Sequence, residues 1–271
     1  MTDEPLTPHE RIFASIRGLM VELDSTPGWK EWRRAKVAYT LRHDEPDAAK
    51  WRDLVPEEFM FPPDLEKRHA VLIAYLELAE GVGALKDCEF YFRRFPFRGL
   101  PLSRKTHLTY ACEMFFNRFY EIRSRIKNAL NSVNVLIAPR KVDVGAFLKL
   151  YDKTFDAELR ARNSTHHHDR FADVTIDRLF LTETVGLAED ASPSLRNAQR
   201  QEYRALAKWW VDRVRKKSKT MQQFLDAVAN AIEDSFAMPK ATMEEAGASL
   251  ARDISATLGP DSLAAKGFGA D

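Results

Sequence analysis

The chain has 271 residues, 45% hydrophobic and 30% charged, with a formal net charge of +1, so its overall charge points to no partner and any attraction must come from local patches. Its two cysteines, Cys88 and Cys112, stand too far apart for a disulfide framework or a zinc motif and fit a reducing compartment. The N-terminus "MTDEPLTPHER" is acidic and lacks an apolar core, which excludes a secretory signal, and no window approaches the apolar length of a membrane span; the expectation is a cytoplasmic protein.

Helix-period patterns dominate from the start. Ile12, Ile16, Leu19 and Leu23 mark a first helix that stops at "DSTPG", and Pro27-Gly28 opens a second with Trp29, Trp32 and Val37. A third begins near Pro63, with Val71, Leu72, Tyr75, Leu76 and Ala79 on its apolar side, and "GVGALKD" at 81–87 reads as a helix terminus. The aromatic run "CEFYFRRFPFRGLPL", residues 88–102, is dense for a free loop, and Pro96 argues against a central strand. It reads as a short hairpin or an extended segment packed on the helices.

The clearest helix follows Pro101. Leu108, Cys112, Phe115, Phe119, Ile122, Ile126, Ala129 and Val133 recur every three or four residues, Ser103 is placed to cap the start, and Pro139 ends the run. Residues 142–162 continue as one helix with Leu148, Tyr151, Phe155 and Leu159 on one side. "VTIDRLFLTETVGLA" fits helix or strand, and helix is the preferred reading. A long helix over about 195–236 carries Tyr203, Leu206, Trp210, Val214, Met221, Leu225, Val228 and Ile232. The predicted architecture is all-α: accessory N-terminal helices in 1–62, a helical bundle over 63–236, and a loosely docked or disordered tail at 237–271.

Polar chemistry gathers in "RARNSTHHHDRF", residues 160–171. On a helix, positions 162 and 166 are neighbours, as are 163 and 167, so Arg162, Asn163, His166 and His167 collect at one end. Those groups suffice to cut RNA with no metal or cofactor. An imidazole moves protons near neutral pH, and a guanidinium grips a phosphate bidentately. Two plainer readings stand beside this one. Arg and protonated His suit the negative end of a helix dipole without further function. His166, His167, His168 and Asp169 carry metal-donor atoms, but consecutive helical residues point about 100° apart, so the three histidines do not converge on one ion.

Arg162, four intervening residues, then His167, at the end of an amphipathic helix and preceded by the long helix "SRKTHLTYACEMFFNRFYEIRSRIKNALN" of residues 103–131, resembles the HEPN superfamily of all-helical nucleic-acid-associated domains. The likeness covers about residues 63–236, and Arg162 to His168 and Arg160 to His167 also satisfy the family spacing. It implies a homodimer with two Arg/His motifs facing one cleft, with Arg162 as phosphate clamp, Asn163 as orienting residue and His167 as acid and base. Arg160, His166, His168, and Glu113 and Arg118 on the preceding helix, would be supporting residues. The alternative is a catalytically silent helical domain that binds nucleic acid or a protein partner.

Two segments are locally basic. Residues 194–219 hold nine Lys/Arg against Glu202 and Asp212, and residues 118–127 hold Arg118, Arg123, Arg125 and Lys127 against Glu121. Arg196, Arg200, Arg204 and Lys208 are the candidates for contacting RNA phosphates. The alternative for the same residues is a solvated helix face with Trp209 or Trp210 in the core. Phe90, Tyr91, Phe92, Phe95 and Phe97 read as a packing layer rather than a base-stacking platform.

Overall fold

A computed structural model describes residues 6–41, 58–97, 102–138, 141–167, 173–186 and 192–237, without the side chains of 14–17, 164–167, 183–186 and 234–237. Among the described residues there are eight helices and no strand: α1 (Pro8–Ser25), α2 (Trp29–Leu41), α3 (Pro63–Arg93), α4 (Arg104–Leu136), α5 (Val144–Thr154), α6 (Asp156–His167), α7 (Val174–Gly186) and α8 (Pro193–Ala237). The fold is all-α. No helix among the described residues is long and apolar enough to cross a membrane.

Local sequence sets most of the helix ends. Thr7 and Glu10 form a capping box, in which each residue's side chain accepts from the other's backbone N–H, and Pro8 occupies the first helical position of α1. Gly28, at φ +79°, provides the left-handed turn between α1 and α2. The Ser103 side chain accepts from the Thr106 N–H at 3.0 Å and starts α4 as its position predicts. Asn134 closes the α4–α5 turn, accepting from the Val142 N–H at 2.6 Å and donating to the Val142 carbonyl at 3.0 Å. The ambiguous segment after residue 173 is helical, started by the Asp173 carboxylate, which accepts from the N–H of Thr175 at 2.8 Å and of Ile176 at 3.2 Å.

The long helices α3, α4 and α8 pack on one another; α5 and α6 lie on α4, α7 lies on α4 and α8, and α1 lies on α8. All eight periodic residues of α4, from Leu108 to Val133, are fully buried. Trp210 of α8 is buried and stacks on Phe92 of α3, ring centroids 5.1 Å apart. A second aromatic group, Tyr151, Phe155 and Phe224, joins α5 and α8 below Phe119, and the Tyr151 hydroxyl donates to the Phe119 carbonyl at 2.7 Å. α1 belongs to the same packing: Ile12 is in the main core, and Arg11 pairs with Glu233 of α8 at 2.8 Å.

Three expectations are corrected. Residues 88–93 form no hairpin; they are the last turns of α3, which is capped by Arg94 in extended backbone, and 95–97 are irregular. Dense aromatics favour strands, but only one face of this run packs: Phe92 is buried, whereas Phe90 and Tyr91 are exposed. Residues 81–87 lie inside α3 rather than at its end. A Cβ on Gly81 would come within 3.2 Å of the Arg125 side chain of α4, so glycine is there for the close approach of α3 and α4. The helix expected over 142–162 is two helices that meet at Phe155. There φ −114° and ψ 23° depart from helical values while the flanking hydrogen bonds continue, so the chain bends as Phe155 is driven into the core.

Candidate functional site

The bend at Phe155 aims α6 along α4. Phe155, Glu158, Leu159 and Arg162 recur at helical spacing on the side of α6 that faces the core, the first two buried and the others partly buried. Glu158 is 1% exposed and takes one cation on each carboxylate oxygen, Arg213 at 3.0 Å and Lys217 at 2.8 Å, both from α8. The Arg213 guanidinium also lies 5.4 Å from the Phe116 ring and 5.0 Å from Trp210. A carboxylate withdrawn from water needs such partners, and this cluster pins α6 to α8 one turn before Arg162.

Arg162 is the last inward-facing residue of that series whose side chain is described. Its guanidinium lies 4.2 Å from the Tyr120 ring of α4, and one of its amino groups donates to the Asn163 Oδ1 at 3.3 Å. Its Nε is buried with no acceptor, and it makes no ion pair among the described residues. The backbone of α6 is helical through His167, so position 166 stands one turn beyond 162 and position 167 one turn beyond 163. The side chains of His166 and His167, and all of His168 and Asp169, lie outside the described residues.

The supporting candidates fare differently. Arg160 is exposed and paired along its own helix with Asp156. Arg118 pairs with Glu121 at 2.6 Å and faces Cys88 and Tyr91 of α3, which separates it from Arg162. Burial pushes the Cys88 thiol up to about 11, more than the nearby Arg118 lowers it, so that sulfur is a packing group. Glu113 lies seven residues before Tyr120, about 10 Å along the α4 axis.

Arg196, Arg200, Arg204 and Lys208 are all exposed on α8. Arg200 and Arg204 open onto a cleft that they share with Arg93, Arg94 and Arg104, whereas Arg196 and Lys208 do not line it. The more C-terminal cations of the basic stretch are largely tied down within the chain: Arg213 and Lys217 to Glu158, and Arg215 to Glu89 at 2.8 Å. Trp210 is buried and Trp209 is 44% exposed.

The apolar rows of α4 and α8 are covered within the chain. Among their described residues, the large hydrophobic side chains these two helices expose are Tyr110, Tyr120, Val135 and Trp209.

Sequence reasoning missed Glu158 and Tyr120. Glu158 carried one signal, a carboxylate one helical turn before Arg162 on the same face. Tyr120 carried none, because its place beneath Arg162 depends on how α6 crosses α4. The fold and this site define an all-α protein with a core-anchored arginine at a helix end. The chain matches no family model, no curated protein and no solved structure.

Proposed function

We propose that the chain is a HEPN-like endoribonuclease that needs no metal and works as a two-fold dimer, with Arg162, Asn163 and His167 from each copy facing a shared cleft. One observation carries the reading: the Arg162 guanidinium is held against Tyr120 without a carboxylate partner among the described residues. An arginine that served only to anchor α6 would be expected to find a counter-charge, as Arg213 does at Glu158. In this reading the second copy approaches on the side of Tyr120, which is half-exposed beneath Arg162.

In this mechanism Arg162 binds the scissile phosphate and offsets the charge that grows on it. Asn163, already bonded to Arg162, orients the guanidinium. His167 takes the proton from the ribose 2′-hydroxyl as its oxygen attacks phosphorus, and the bond to the 5′-oxygen breaks. The proton passes to that leaving oxygen, giving a 2′,3′-cyclic phosphate and a 5′-hydroxyl. DNA lacks the attacking hydroxyl and stays intact.

The test is cleavage of single-stranded RNA by the purified chain, with its mass in solution measured in parallel. Arg162→Ala should lower the rate about a hundredfold or more, the scale of 3–4 kcal/mol of transition-state stabilisation. His167→Ala should cost about 10²–10⁴-fold, His168→Ala should cost less, and EDTA should change nothing. Loss of cleavage in EDTA would mean that the histidines hold a metal. A well-folded chain that leaves RNA uncut would transfer the assignment to a catalytically silent domain that binds nucleic acid or a protein. A monomer at micromolar concentration would count against a composite site.

A further inference from the structure

Five arginines converge on one cleft from parts of the chain about a hundred residues apart. Arg93 ends α3, Arg94 follows it, Arg104 begins α4, and Arg200 and Arg204 stand one turn apart on α8. The cleft holds about 960 Å³, and no acidic residue is among the described residues lining it. Arg104 lies over the Phe95 ring at 5.6 Å and over Tyr203 at 5.7 Å, which fixes its guanidinium against the wall. Arg93 pairs with Glu89. Arg94, Arg200 and Arg204 make no ion pair among the described residues.

Several arginines elsewhere in the chain are paired with carboxylates. Arg68 meets Glu22 at 2.5 Å, Arg123 meets Asp152 at 2.6 Å and Arg178 meets Glu202 at 2.6 Å. In the cleft, Arg94, Arg200 and Arg204 gather like charge with no carboxylate paired to them among the described residues, an arrangement that a bound anion would offset. The planar fork of a guanidinium matches two phosphate oxygens at once, and several forks match adjoining phosphates.

We propose that this cleft binds a small molecule carrying two or more adjoining phosphates, an inorganic oligophosphate or a nucleoside polyphosphate. Its shape favours a compact ligand over an RNA strand. The arginines close on one volume from three helices, and that volume falls in the range of roughly 300–1,000 Å³ usual for small-ligand sites. Arg196 and Lys208, which would extend a track along α8, stay outside. Tyr203 is 8% exposed, and Arg104 lies over it and Phe95, so these rings offer bases little to stack on. The site is also remote from Arg162: sixteen residues of α4, about 24 Å, separate Arg104 from Tyr120. Binding here therefore stands or falls independently of RNA cleavage there.

The test is calorimetric titration of the full chain at physiological salt with inorganic tripolyphosphate, ATP, orthophosphate and a short single-stranded RNA. Tripolyphosphate should bind one per chain and orthophosphate far more weakly. The double variant Arg200→Ala/Arg204→Ala should weaken tripolyphosphate by at least about tenfold, the scale of a lost charge-assisted contact. Arg196→Ala should bind as the wild type does. If the double variant does not fold, Arg94→Ala makes the same test. ATP binding tighter than tripolyphosphate assigns a nucleoside polyphosphate, and equal binding assigns the phosphates alone; either supports the site. Absence of tripolyphosphate binding, equal binding by wild type and cleft variants, or binding of the RNA alone overturns it.

Discussion

Two stretches of α8 look alike in sequence and behave differently in the fold. Around 213–217, Arg213 and Lys217 meet the buried Glu158, and Arg215 meets Glu89. About two and a half to five turns earlier, Arg200 and Arg204 open into the arginine cleft with no ion pair among the described residues. Helix, charge density and aromatic neighbours are shared, so none of these distinguishes a structural cation from one available to a ligand. The difference comes from carboxylates on other helices. α6 and α3 bring Glu158 and Glu89 to one stretch, whereas among the described residues no carboxylate pairs with Arg200 or Arg204 in the other.

The comparison breaks most sharply at Glu158. Glu158→Ala strands Arg213 and Lys217 beside a hydrophobic core, and about 3 kcal/mol of stability should be lost in denaturant unfolding, the lower end for a broken buried pair because both cations keep some water contact. A loss below about 0.5 kcal/mol would show the cluster to be as dispensable as a surface pair. The same variant should loosen α6 and so impair any chemistry at Arg162.

Glu89 stands between the two regions, accepting from Arg93 at the cleft and from Arg215 in the neutralised stretch. Those contacts, Arg215's foremost, hold its carboxyl below the usual range. Glu89→Gln releases Arg93, so tripolyphosphate should bind more tightly, by up to about fivefold. Weaker binding would mean that Glu89 positions Arg93 for the ligand instead of competing with it.

His107 tests the wall of the cleft. It is buried against Phe95 and Phe97, ring centroids 5.7 and 5.6 Å away, and burial pushes its pKa below the usual 6.5. The unfolded chain then binds more protons than the folded one at and below that pH, so stability falls as pH drops through about 6.5 and is unaffected well above it. Burial shifts His69 in the same direction, so both histidines contribute to the wild-type slope. His107→Phe should flatten that slope in thermal melts between pH 7 and 5 without abolishing it; an unchanged slope would show that His107 does not titrate with unfolding.

The smallest effect is expected at the cleft itself. Arg200→Ala/Arg204→Ala removes two exposed cations with no ion-pair partner among the described residues, so stability without ligand should move by no more than about 0.5 kcal/mol. A large loss would place these arginines with Arg213, as structural.

Hydrophobic periodicity by itself determined the all-α class, the buried face of α4 from Leu108 to Val133, and the inward row of α8 that includes Trp210, Val214, Met221 and Val228. The Ser103 cap was legible for the same reason: caps and helical faces are set by residues a few positions apart. Local pattern misread the aromatic run at 88–93 and the bend at Phe155, where packing against other helices decides the outcome. At the candidate site, sequence alone placed Arg162 and Asn163 near a helix end. It said nothing of the Tyr120 ring that supports the guanidinium or of the Glu158 cluster that anchors α6. Glu158 meets Arg213 and Lys217 across 55 and 59 residues, and Arg93 meets Arg200 and Arg204 only because α3 and α8 pack together. Those meetings depend on the crossing of long helices, and no local spacing encodes which surface charges a crossing will bring together.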